Sequence, residues 1–150
     1  MNLKNPTDYP NAKTWYLPHF GVTNSNKPGK FRLVFDAAAK AQGRSLNDFL
    51  LTGPDLLRPL TTVLSKFRQH EIAFSGDIKE MFHQVEIRND DNSAQRFLWR
   101  ERNRDCEPDI YCMKAMIFGA SCSPFMAQYV KNKNAEEFEN EFPETTKAII

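Results

Sequence analysis

The sequence has no hydrophobic run long enough to cross a membrane: no stretch approaches the ~20 apolar residues that a spanning helix needs. Its opening, Met1 to Pro10, carries Lys4 with no apolar block behind it, and is expected not to be a secretory signal. Paired cysteines are missing too. Cys106, Cys112 and Cys122 form an odd set without a C-x-x-C spacing, which argues against a disulfide framework and against a zinc site. His19, His70 and His83 are scattered and add no ligand cluster. The expectation is three reduced, partly buried thiols in an intracellular protein. Charge of one sign is also lacking: 20 Lys and Arg against 19 Asp and Glu leave +1. No internal repeat and no low-complexity tract is present.

What the chain does have is globular composition, 41% hydrophobic and 26% charged, over 150 residues, the length of one domain. Its charges are unevenly placed. Residues 27–44 hold Lys27, Lys30, Arg32, Lys40 and Arg44 against Asp36 alone, while residues 136–144 hold five glutamates and no base. A local basic segment can meet phosphates within a neutral chain, and it can equally be ordinary solvated surface.

Residues 1–14 read as a polar lead-in. Trp15 to Val22 is apolar around Pro18 and reads as extended. A turn signal at residues 24–29 and the alternation Phe31 to Phe35 then complete a β-hairpin with a basic tip. Residues 37–54 read as mostly loop. From Asp55, the spacing of Leu56, Leu57, Leu60, Val63, Leu64 and Phe67 predicts a helix, with Pro59 tolerated near its first turn. Ile72 to Ile78 reads as a buried strand, and Phe82 to Ile87 as extended. Gln95–Arg100 and Ile110–Ile117 read as a second antiparallel pair. Ser123-Pro124 predicts a helix start, with Ser123 accepting from free amides. Phe125, Met126, Tyr129, Val130, Phe138 and Phe142 would form its apolar face, and Pro143 would end it. Ala148 to Ile150 reads as the beginning of a strand. Hairpins and helices without regular alternation predict an α+β fold.

Asp77, at the end of the predicted strand, opens the word Asp77-Ile78-Lys79-Glu80-Met81-Phe82-His83-Gln84-Val85. Alone, Gly76-Asp77 is a common strand-end turn. The whole word resembles the first catalytic motif of reverse transcriptases. Upstream, Lys27 to Asp36 is similar to the fingers hairpin of that family. Downstream, Phe118-Gly119-Ala120-Ser121-Cys122-Ser123-Pro124-Phe125 resembles the motif that enters the palm helix. Leu46-Asn47-Asp48, Leu51 to Leu57, Arg96-Phe97-Leu98-Trp99, Tyr16 to His19 and Val34 to Ala37 are similar to the Bel/Pao class of long-terminal-repeat retrotransposons. The resemblance runs from about Trp15 to Tyr129.

That resemblance implies nucleotidyl transfer, in which a primer 3′-hydroxyl attacks the α-phosphate of a deoxynucleoside triphosphate between two Mg²⁺ ions, with Mn²⁺ as the alternative. Asp77 matches the family's first metal-binding aspartate, and the Ile78 backbone carbonyl matches a ligand of the nucleotide-side metal. Phe82 matches the residue under the incoming sugar, where a large ring excludes a 2′-hydroxyl; the alternative is a core phenylalanine. Lys27 and Arg32 match fingers residues on the triphosphate, with Lys30 competing for the role of Lys27 and Arg32 favoured by its forked geometry. Phe118 and Gly119 match the position that packs on the nucleotide and the glycine that lets backbone approach. Related enzymes often carry glutamine where Phe118 stands. An RNA or DNA template with its primer would be held mainly by phosphate and sugar.

One word of the family does not occur. An aromatic-x-Asp-Asp turn should follow the palm helix, yet the sequence has one Asp-Asp, Asp90-Asp91, which precedes that helix and has no aromatic before it. The expected organisation is a lead-in over 1–14, a fingers-like segment over 15–71, and an incomplete palm over 72–150 that ends before the aromatic-x-Asp-Asp hairpin. The implied partners therefore include the remainder of a polyprotein: the rest of the palm, a thumb and a ribonuclease H. The implied setting is a cytoplasmic particle, with no membrane partner. Two readings compete with a reverse-transcriptase fragment: a retained module that binds nucleic acid or protein without catalysis, and an unrelated α+β domain.

Overall fold

The computed structural model describes residues 13–25, 27–101 and 105–150, and in the first hairpin leaves the side chains at 24, 27, 28 and 30 aside. Among the described residues the fold is mixed, with two small antiparallel sheets and three helices, the α+β organisation. Strands β1 (His19–Asn24) and β2 (Lys27–Phe35) form the predicted hairpin, in a register that pairs His19 with Phe35 and Val22 with Arg32. The register shifts between Thr23 and Asn24, and Gly29 adopts a positive φ of 83° in this irregular stretch. The turn is thus tighter than the sequence suggests, because Lys27 already belongs to β2. Gly21 answers a packing demand: a Cβ there would overlap the Phe31 ring that lies across it.

The second pair is also present, though shorter than expected. Strands β3 (Arg96–Trp99) and β4 (Asp109–Cys112) pair antiparallel, Phe97 opposite Tyr111. Beyond Cys112 the chain turns to a different partner. Ile87 N–H donates to the Lys114 carbonyl at 2.8 Å and Met116 N–H to the Val85 carbonyl at 3.0 Å. The segment before β1 joins β3 on its other side. Leu17 N–H donates to the Arg96 carbonyl at 2.7 Å, and Arg96 N–H to the Trp15 carbonyl at 3.0 Å.

The core lies where these pieces meet. Leu17, Phe35, Ala37, Leu46, Phe97, Ile117 and Ala120 are buried together. Phe35 meets Phe97 edge to face at 5.1 Å, and Phe97 stacks on Tyr111 at 5.6 Å. His19 sits against Phe35, Phe97 and Trp99 at the same junction.

The helices depart from expectation at their ends. Helix α1 spans Leu60–Phe67, not Asp55 onward. Pro59 disfavours helical backbone at Arg58 and offers no amide, and Asp55 instead accepts from Leu57 N–H at 2.9 Å. Its apolar residues keep the predicted spacing, yet none is buried. Helix α2 spans Ser123–Glu137 and begins where Ser123-Pro124 predicts. Cys122, however, holds the cap position, and the buried Ser123 hydroxyl donates to the Ile117 carbonyl at 2.8 Å instead of accepting from an amide. The buried face is small: Ser123, Ala127 and Ala135, while Tyr129 and Val130 are exposed. Pro143 does not end this helix but starts α3, Pro143–Ile149, so of the strand expected at Ala148–Ile150 the first two residues are helical and Ile150 caps the helix. Thr146 anchors it by donating from Oγ1 to the Ala135 carbonyl at 2.8 Å. Arg58 and Lys131 supply the cations that a helix C-terminus favours, donating to the carbonyls of Lys147, Ile149 and Ile150.

The largest departure concerns residues 72–78. They form neither a strand nor a buried element: Ile72 is 83% exposed and Phe74 92%. The apolar pattern of a buried strand is present, but among the described residues no neighbouring strand pairs with it. Likewise Met81–Gln84 is a 3-10 turn, so the expected extended segment is reduced to Val85–Ile87.

The contrast between core and uncovered surface is measurable. In urea unfolding, Phe97→Ala is expected to cost about 3–5 kcal/mol, whereas Phe74→Ala stays within about 0.5 kcal/mol. Equal losses would contradict this assignment of the core.

Candidate functional site

Three of the residues singled out by sequence come together. Phe82 lies in the 3-10 turn and Phe118 in the loop before α2, yet their rings meet edge to face at 4.4 Å. Gly119 follows directly. His83, quoted in the same word but given no role from sequence, also stands edge-on to Phe118 at 5.9 Å. Phe82 is half-buried, and Phe118 is 53% exposed, so the pair presents an aromatic surface to solvent.

Local backbone explains how the pair forms. Glu80 adopts the left-handed conformation, φ 52° and ψ 39°, which turns the chain from the extended segment into the 3-10 turn carrying Phe82. His83 N–H donates to the Glu80 carbonyl at 2.8 Å, and Gln84 Nε2 to the Lys79 carbonyl at 3.3 Å. On the other side, Gly119 has φ 95°, and a Cβ there would stand 3.1 Å from the Phe35 carbonyl oxygen. Glycine is therefore demanded twice, by conformation and by close approach. Asn47 braces this loop from a distance in sequence. Its Nδ2 donates to the Gly119 carbonyl at 3.0 Å, and its Oδ1 accepts from Ser121 N–H at 2.9 Å. No local pattern signals such a brace; the word Leu46-Asn47-Asp48 carries only family likeness.

The other predicted residues are not drawn into this surface by any contact seen here. Asp77 is exposed on the 72–78 segment, and Ile78 is half exposed beside it. Arg32 is exposed on β2, across from Val22. The side chains of Lys27 and Lys30 lie outside the described residues. Among the described residues no group of three or more His, Cys, Asp or Glu side chains converges to hold a metal. Asp77 with the Ile78 carbonyl offers one carboxylate and one carbonyl, fewer groups than a pair of magnesium ions takes from protein and substrate. The described residues do not make that site, and no step through a metal follows from them.

Electrostatics near the brace are local. Ser45 N–H donates to Asp48 Oδ2 at 2.8 Å. Hydrogen bonds from the Ser45 backbone and then its side chain hold the Asp48 carboxyl below the usual range, helped by Lys40 and Arg44. Burial pushes the Cys122 thiol up, so it stays protonated beside the start of α2.

Compared with protein-family models and with curated proteins, the chain gives no match.

Two measurements probe this site. A double-mutant cycle with Phe82→Ala and Phe118→Ala should return a coupling of about 0.5–1.5 kcal/mol in unfolding free energy; additivity would contradict the ring contact. The raised thiol favours the neutral form in the folded state. Its stabilisation is complete below the unfolded-state value and is lost as pH rises through the folded one. Cys122→Ala should flatten the fall in melting temperature at alkaline pH, and an unchanged slope would contradict burial of the thiol.

Proposed function

We propose that the chain is the fingers hairpin and the nucleotide-side part of the palm of an RNA-directed DNA polymerase of the Bel/Pao retrotransposon type. The observation that carries this reading is the contact between Phe82 and Phe118. Two words separated by 32 residues of sequence each resemble motifs that meet the incoming nucleotide, and their aromatic residues meet at 4.4 Å. In this reading the Phe82 ring lies beneath the deoxyribose and leaves no space for a 2′-hydroxyl. Phe118 packs on the nucleotide, Gly119 brings backbone close to it, and Arg32, with Lys27 or Lys30, meets the triphosphate by charge-assisted hydrogen bonds. Template and primer are held by phosphate and sugar, independently of base sequence.

The reading also accounts for the uncovered run at 72–78. A palm needs a strand carrying Asp77 to be paired with the aromatic-x-Asp-Asp hairpin, a word this sequence does not contain. Those further carboxylates would complete the magnesium site, so catalysis belongs to an assembly that includes them. A thumb and a ribonuclease H would be further parts of the same assembly. The run at 72–78 is equally the observation that favours the second reading, a non-catalytic module that docks onto a partner.

The test uses the 150-residue chain with oligo(dT) annealed to poly(rA) and magnesium. Saturable binding at physiological salt is expected, weakening log-linearly with added salt, without primer extension. A flat binding response would sink the polymerase reading. Extension that is lost on Asp77→Ala would overturn the dependence on additional carboxylates.

A further inference from the structure

We infer that Asn47 is the positioning residue of the nucleotide-side loop: its carboxamide locks the Gly119–Ser121 backbone to the 46–49 turn and thereby holds Phe118 against Phe82. The functional consequence rests on the polymerase reading above; the positioning itself does not.

Phe118 needs such a device. Its ring is 53% exposed, so burial does not fix it, and its place is set by the backbone that carries it. That backbone is held by the burial of Ile117 and Ala120 in the core and by a few hydrogen bonds. The Ser123 hydroxyl holds the Ile117 carbonyl at 2.8 Å, and Ser123 N–H reaches the Ala120 carbonyl at 3.0 Å, but both bonds stay within the loop and the start of α2. Gly119 leaves no room for a side chain on the Phe35 side, where an added Cβ would stand 3.1 Å from the carbonyl oxygen. Asn47 alone among the described residues gives the loop a side-chain brace from the 15–71 segment, through one donor at 3.0 Å and one acceptor at 2.9 Å. A carboxamide is required because the loop presents a carbonyl at Gly119 and an N–H at Ser121; a carboxylate lacks the donor and an aliphatic side chain lacks both.

The brace is itself rooted. Asn47 N–H donates to the Ala37 carbonyl at 3.1 Å, just past the end of β2, and the Asn47 carbonyl accepts from Leu50 N–H at 3.4 Å. Asp48 closes the same turn onto Ser45 N–H. Asn47 therefore ties the exit of the first hairpin to the loop that presents Phe118. In the polymerase reading it makes the two halves of the nucleotide surface one unit, so its loss should raise KM for deoxynucleotide in the full assembly more than it lowers kcat.

The test is made by NMR on the full chain. In Asn47→Leu, Ser121 amide exchange should accelerate roughly tenfold relative to Leu17, with loss of the cross-peaks between the Phe82 and Phe118 rings. In Asn47→Asp, shape is kept and the contact becomes pH-dependent. The protonated acid can donate to Gly119 and restores the cross-peaks at low pH, whereas the carboxylate repels that carbonyl and removes them near neutrality. Asp48, Lys40 and Arg44 are the charged groups on the bracing side, and the Cys122 thiol adjoins the loop; the wild-type chain, measured over the same range, controls for them. Cross-peaks and Ser121 protection that persist in Asn47→Leu would overturn the inference. Should that variant not fold, a pH-independent contact in Asn47→Asp would overturn it. A wild-type chain that ignores primer-template while Asn47→Asp shows the pH profile would refute the polymerase reading and leave the brace standing.

Discussion

The edge-to-face contact of Phe35 with Phe97, at 5.1 Å, is the joint on which the remaining structure depends. Each sheet has two strands, and a lone hairpin in water is marginal at best. Phe35 closes the first hairpin and Phe97 belongs to the second, so burying them together, with Leu17 and Ile117, makes a single core out of two weak elements. The loop that presents Phe118 is tied to this joint. Asn47 is rooted at Ala37, two residues past Phe35. Gly119 leaves no room for a side chain beside the Phe35 carbonyl, and Phe118 precedes Gly119.

A division follows between a settled interior and an open face. Around the joint, side chains are buried and backbone groups are paired. From Leu51 to Ile78, in contrast, Leu51, Leu57, Leu60, Ile72 and Phe74 are exposed, and α1 buries none of its residues. In the proposed reading this exposed apolar surface is where the rest of a palm would pack. The polymerase reading joins the two: the settled part presents the aromatic pair to a nucleotide, and the open part, bearing Asp77, faces the polypeptide that would complete a palm.

The parts legible in sequence are those written locally. Alternation and a turn signal marked the first hairpin, a polar insert between apolar runs marked β3 and β4, and Ser123-Pro124 marked the start of α2. Longer-range matters were less legible, for physical reasons. The run from Ile72 to Ile78 has the residues of a buried strand, but composition states a preference for burial without supplying the neighbour. Ile149 and Ile150 favour a strand by residue type, yet Pro143 and the bond from Thr146 to Ala135 set a helix that runs to Ile149. At the candidate site, Phe82 and Phe118 were matched to one nucleotide only through family likeness, since nothing in either word refers to the other. Asn47 was not singled out for a role, because its partners lie 72 and 74 residues away.

The central claim is that Phe82 and Phe118 together form the surface on which a deoxynucleotide rests. The most direct measurement follows the ring signals of both residues while the chain, with oligo(dA) annealed to poly(rU) and magnesium, is titrated in turn with dATP and with ATP. The account predicts that dATP shifts both rings together and saturably, and that ATP, carrying the 2′-hydroxyl, does so far more weakly. Equal responses to the two nucleotides, or rings that respond to neither, would contradict it.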